Sequence, residues 1–123
     1  MMTVEAANST VDERLQKAIA FKIEGQYEAA ERELRAILDL EPENPQARRE
    51  MGLVLNFTGE FDESINELRR AVELAPQYLE ARNDLGLAYA QLGMYDEARA
   101  EFETVLELDP TNAAAQRQIV YFR

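Results

Sequence analysis

The feature that most constrains this chain is a period. Pro42, Pro76 and Pro110 stand 34 residues apart, and Gly25, Gly59 and Gly93 keep the same step. So do the small residues Ala18, Gly52 and Gly86, the aromatics Tyr27, Phe61 and Tyr95, the small residues Ala30, Ser64 and Ala98, and Leu40, Leu74 and Leu108. Residues 45–78 and 79–112 are identical at 11 of their 34 positions. Six columns in one phase make the chain an array of one unit. Its repeats are 11–44, 45–78 and 79–112, preceded by an N-terminal extension, 1–10, and followed by a remnant, 113–123. A unit this short cannot bury its own apolar face, so stability has to come from stacking on neighbours.

Within a unit the apolar spacing is helical and falls in two pieces. Leu85, Tyr89 and Leu92 step by four and three, and Phe102, Val105, Leu106 and Leu108 do so beyond the glycine. Gly93 sits between them, where a helix can end in a left-handed residue. Asp62-Glu63 and Asp96-Glu97 put carboxylates into the first turn of the next helix, where the macrodipole favours them. Each proline then ends the second helix, because the residue before it is driven out of the α region. Two starts are also signalled. Thr10 with Glu13 predicts a capping box, and Asn44 before Pro45 predicts an N-cap with proline at the first helical position.

These columns resemble the tetratricopeptide repeat family, whose unit is 34 residues long. Leu85-Gly86, Tyr89, Gly93, Tyr95, Ala98, Phe102 and Pro110 carry the resemblance best, while repeat one departs from it at Arg14 and Lys17. The resemblance implies an all-α fold: a right-handed superhelix of three helix–turn–helix units plus a closing helix over 113–123. It makes the columns above structural, with Tyr27, Phe61 and Tyr95 plugging the gaps between units. Fold alone does not name a function.

Composition narrows the chemistry. The chain has no histidine and no cysteine, which removes imidazole acid–base catalysis, thiol nucleophiles, disulfides, thiolate zinc and iron–sulfur sites. Its glycines are isolated turn residues, so there is no phosphate-cradling loop. An enzyme is therefore not expected, nor is a cofactor or a metal. A net charge of −11 and only two lysines, Lys17 and Lys22, are the wrong endowment for nucleic acid. No stretch approaches 18 apolar residues, so membrane insertion is not expected, and residues 1–10 lack a secretory pattern. A cytoplasmic location is the plain expectation, although an exported mature chain would look the same. The acidic run Glu97, Glu101, Glu103, Glu107 and Asp109 reads as a solvated outer face.

What remains is binding of a protein or peptide. The resemblance implies that the first helices line a concave groove. Carried over by position, the groove rows are Ile19, Leu53, Leu87 and Tyr121; Lys22 with Ile23, Asn56 with Phe57, and Ala90 with Gln91; Leu15, Arg49, Asn83 and Arg117; and Gln16, Glu50, Asp84 and Gln118. Ile23, Phe57 and Tyr121 are large apolar groups that the repeat does not ask for. Either a partner peptide or helix takes them, with Arg49 and Arg117 orienting an acidic group, or the final helix or a second copy covers them. Relatives that grip acidic chaperone tails use basic and amide side chains where this chain has Leu15, Ile19, Glu50, Glu80 and Asp84, so such a tail is not the expected ligand. A homodimer is the alternative reading. Ile119, Val120 and Phe122 are its candidate contacts, since a closing helix ending Ile119-Val120-Tyr121-Phe122 would point apolar groups in every direction.

Overall fold

The structure, a computed structural model, describes residues 4–123, with side chains from Thr10 onward. Those residues form seven helices: α1 (Val4–Ile23), α2 (Tyr27–Leu40), α3 (Pro45–Phe57), α4 (Phe61–Leu74), α5 (Leu79–Gln91), α6 (Tyr95–Leu108) and α7 (Ala113–Ile119). α1 packs on α2, α3 on α4 and α5 on α6, and each pair stacks on the next to give an all-α superhelix.

The turns follow from a few residues. Gly25, Gly59 and Gly93 have φ of +78°, +84° and +75°, a region that a side chain would strain. This lets each first helix end in a double hydrogen-bonded lock. In the first, Gly25 N–H donates to the Lys22 carbonyl and Gln26 N–H to that of Phe21; the same pair of bonds recurs at Gly59 and Gly93. The second helices end two residues before the prolines. Glu41, Ala75 and Asp109 are pushed to ψ of 80–92° and cannot continue the helix. Asn44 caps α3 as predicted, its side chain accepting from Ala47 N–H, and Asn112 caps α7 in the same way through Ala115 N–H. The predicted start of α1 is corrected. The helix is already formed at Val4, carried by Glu5, Ala6 and Ala7, so Thr10 lies in its interior and the Thr10/Glu13 pair is no capping box.

Packing inside a pair is closest at the small-residue column. A Cβ added at Gly52 would lie 2.7 Å from Leu68 Cγ, and one at Gly86 2.7 Å from Phe102 Cζ. The Ser64 hydroxyl, buried between α3 and α4, donates to the Gly52 carbonyl at 2.6 Å. Buried side chains form one cluster across α1, α2 and α3 and a second across α4 to α7.

One expectation about rings is revised. Tyr27 does bridge to the next unit, stacked on Phe57 at 5.4 Å. Phe61 is exposed, because the residue matching Phe57 one unit on is Gln91 and offers it no ring; Tyr95 is exposed on one side but meets Phe122 of the closing segment in a tilted contact at 6.1 Å. The closing helix is also shorter than predicted. It ends at Ile119, and Phe122 folds back to stack on Phe102 at 5.6 Å.

Replacing Gly86 by Leu should overfill the α5–α6 contact and cost about 1–3 kcal/mol, read as a lower urea midpoint at unchanged m. An unchanged midpoint would mean that the pair does not close at Gly86.

Candidate functional site

α1, α3 and α5 touch one another along the array and present one common face. A cleft of about 420 Å³ opens there, lined by Leu53, Asn56, Asp84, Leu87, Ala90 and Gln91, with Leu68 and Ala88 beneath. The predicted groove residues Leu53, Asn56 and Leu87 therefore do come together. The Asn56 side-chain oxygen is buried in the cleft wall with no hydrogen-bond partner among the described residues.

Charges cross the floor of this face as a ladder. Lys22 Nζ donates to Glu50 Oε2 at 2.6 Å, and Arg49 Nε donates to Asp84 Oδ2 at 2.6 Å. Glu50 Oε1 lies 3.8 Å from Arg49 Nη1, linking the two pairs across three helices. The Arg49 guanidinium also sits 5.9 Å from the centre of the Tyr78 ring. Tyr78 stands in the column of the capping residues Asn44 and Asn112, and this break in the column was the one signal in the sequence that it does something else.

Burial and pairing are not balanced equally on the two partners. Burial raises the Asp84 carboxyl above its ordinary 3.8, and the hydrogen bond and charge of Arg49 offset this only in part. Burial works against the charged Arg49 too, but Asp84 outweighs it and raises the guanidinium. Tyr78 is raised by burial, with Arg49 pulling the other way.

Several predicted site residues lie elsewhere. Leu15, 7% exposed, is a core residue beside Val11 and Ala18, too short to reach the groove floor as Arg49 of the same column does. Asn83 is buried as well, and its side-chain amide donates to the capping Asn112. Ile19 is half-buried against the first core cluster. Lys22 and Arg49 are held by Glu50 and Asp84, so they are not free to orient an acidic partner; Arg117 is exposed and forms no ion pair among the described residues. Ile23 and Phe57 stand out at 77% and 58% exposed, although one face of Phe57 is spent on Tyr27. Tyr121 is not in the groove row. With α7 ended at Ile119, it lines a different hollow, beside Tyr95, Asp96 and Arg99. Of the three candidate dimer contacts only Val120 is exposed. Ile119 is buried in the second core cluster and Phe122 is stacked on Phe102. Phe122 occupies the column of buried Val54 and Ala88, and that register was the signal for its inward packing.

The outer face is also more structured than a solvated charge run. Arg14 pairs with Glu33, Arg48 with Glu67 and Arg82 with Glu101, one rung per unit at 3.0–3.2 Å. Arg48 and Arg82 also donate to the Pro42 and Pro76 carbonyls, and Gln116 does so to Pro110. Within the acidic run, Glu101 is thus a rung, and Asp109 accepts from Thr111 in the turn.

Residues 57–113 and residues 23–73 each match a tetratricopeptide repeat family. The chain belongs to the tetratricopeptide repeat family. No curated protein sequence matches it. Among solved structures, it is similar to the first such domain of Spaghetti (RPAP3) bound to an HSP90 peptide, with 24% identity, 93% of this chain and 90% of that one covered, and a TM-score of 0.86. It is similar to the second domain of human RPAP3 in complex with an HSP70 peptide, with 23% identity, coverage of 94% and 96%, and a TM-score of 0.85. It also matches a mutant O-GlcNAc transferase from Thermobaculum terrenum, with 27% identity and a TM-score of 0.87, over 99% of this chain but only 23% of that one. No helix of the described residues is long and apolar enough to cross a membrane.

The Asp84 asymmetry gives this tetratricopeptide repeat array a signed prediction. A raised folded-state pKa means that the stabilising contribution of Asp84 is full below pH 3.8 and is lost as the pH rises through the folded value. Asp84→Asn keeps an acceptor for Arg49 without the buried charge. At pH 7 it should be at least as stable as the wild type, with the two converging in denaturant midpoint as the pH falls through the carboxylate range. A variant clearly weaker at pH 7 and no closer at pH 4 would contradict this balance.

Proposed function

We propose that this chain is a non-catalytic protein-interaction module that takes a segment of a partner protein along its concave face. The observation that carries the reading is the cleft between α3 and α5. Leu53, Leu87 and Ala90 offer apolar contact over a floor whose charges are already paired. An apolar side chain entering there would shed water without stranding a charge. The unpartnered Asn56 oxygen adds an acceptor that a backbone N–H of the segment would satisfy.

The RPAP3 domains of similar fold are bound to chaperone peptides. At the positions matching the acidic-tail clamp, this chain has the buried Leu15, the half-buried Ile19, the exposed Glu80, and Glu50 and Asp84, which consume its own Lys22 and Arg49. An acidic tail would find no free cation on this stretch of the floor. The ligand we infer is an apolar segment without a terminal acidic cluster.

Peptides selected from a random library on the immobilised chain should be apolar at their shared positions. Leu53→Ala and Leu87→Ala should each weaken them by about 1–3 kcal/mol while leaving the melting temperature nearly unchanged. Peptides that bind both variants as tightly as the wild type would place the site elsewhere.

A further inference from the structure

The edge formed by the three glycine turns has a character that neither the helix pairs nor the groove requires. Tyr27 stacks on Phe57 across the first two turns. Asp62, Met94 and Glu97 line one hollow and so join the second turn to the third. Tyr95, Asp96 and Tyr121 line another, which carries the edge to the end of the array. Along it, Ile23, Phe57, Phe61, Met94, Tyr95 and Tyr121 are all exposed, and this is where most of the large apolar groups left uncovered by the fold are found. A strip of this kind marks an interaction surface.

The charges beside it point to the partner. Glu24, Glu28, Glu60, Asp62, Glu63, Asp96 and Glu97 are exposed on the same turns and first helical turns. Among the described residues only Asp96 has an ion pair, with Arg99. Of the basic residues on the edge, Lys22 is spent on Glu50, which leaves Arg69 in the hollow beside Asp62 and Glu97, with Arg99 and Arg123, against seven carboxylates. A second copy would set its own seven carboxylates against the seven here, and the excess of negative charge on both sides would repel it. In each unit the turn aromatic is followed at once by an acid, as Tyr27-Glu28, Phe61-Asp62 and Tyr95-Asp96, so the occupant must show apolar and basic groups on one surface. Residues three and four apart on a helix share a surface, whereas neighbours on an extended strand point to opposite faces. We propose that this turn edge docks an amphipathic helix of a partner protein whose apolar stripe is flanked by lysine or arginine. The proposal does not depend on the groove reading.

The probes are two synthetic amphipathic helical peptides with one apolar face in common, one bearing lysines and the other glutamates at the flanking positions. Binding to the full chain is followed by fluorescence anisotropy. The lysine peptide should bind, and bind severalfold more weakly as salt is raised from about 50 to about 300 mM. The glutamate peptide should show no binding at about 100 μM. Phe61→Ser with Tyr95→Ser should weaken the lysine peptide about tenfold, and Leu53→Ala with Leu87→Ala should leave it unchanged. Amide shift changes in the wild type should centre on 24–28, 59–63 and 93–97, which decides the site even if the double edge variant folds poorly. Equal binding of both peptides, binding of neither, or shift changes confined to the α3–α5 cleft would overturn the proposal.

Discussion

The close approach of the two helices in each unit is the constraint on which the remainder depends. At Gly52 and Gly86 the facing Leu68 and Phe102 stand where a Cβ would be. Without that approach the second helices would sit too far out for Leu34, Leu68 and Phe102 to be fully buried, and these are among the largest such side chains. The glycine turns serve the same end. With φ near +80°, the chain reverses within three residues and the second helix comes back against the first. Stacking of one pair on the next then buries Val54 and Ala88, and Phe122, in the same column but beyond the end of α7, is half-buried against Phe102.

Two ladders of ion pairs run through this frame with different consequences. The outer one, Arg14–Glu33, Arg48–Glu67 and Arg82–Glu101, repeats with the period and ties each first helix to its own second helix. Its members are partly exposed, so each rung adds little to stability, although Arg48 and Arg82 also fix the proline turns through their carbonyls. The inner one does not repeat. Lys22–Glu50 and Arg49–Asp84 join different units, and the positions matching Glu50 and Asp84 in α1 and α7 are Gln16 and Gln118. Through it the charges on the cleft floor are matched, although the chain as a whole carries −11.

Most of the fold was legible because it is written several times over. Turn glycines, prolines and the Asn44 cap act through local backbone physics, and the structure follows them to within a residue. The start of α1 was not legible in this way: Thr10 and Glu13 have the right spacing for a cap, but Ala6 and Ala7 upstream extend the helix past them. The site was read less well, for a physical reason. Position in the repeat tells which way a Cα–Cβ bond points, but not which partner a long side chain will choose. Arg49 and Lys22 point to the groove as predicted and are held there by carboxylates of neighbouring units. Leu15 and Asn83 share a column with Arg49 but are short enough to stay beneath the surface. The outer ladder was present in the sequence as two columns, arginine at 14, 48 and 82 and glutamate at 33, 67 and 101, though each taken alone reads as surface charge.

A repeat protein carries its own internal comparison, and this bears on where binding is to be sought. A column filled alike in every unit answers to a demand made once per unit, which is packing. Ala18, Gly52 and Gly86 are such a column. Columns that change from unit to unit are released from that demand, and what fills them is set by something outside the period. On the cleft, Asn56 gives way to Ala90 in the next unit, so the face is not uniform along its length and would hold a segment in one register. The turn edge is intermediate. Its aromatics and acids recur, which the macrodipole explains for the acids, since they sit in the first turns of α2, α4 and α6. Helix physics does not explain why Phe61 remains apolar when the next unit offers it no ring, as it offers Tyr27 and Tyr95, nor why Tyr95 stays 60% exposed beside Phe122. Exposed apolar groups retained without a packing role are what a docking surface requires, and a regular spacing suits a regular ligand such as a helix.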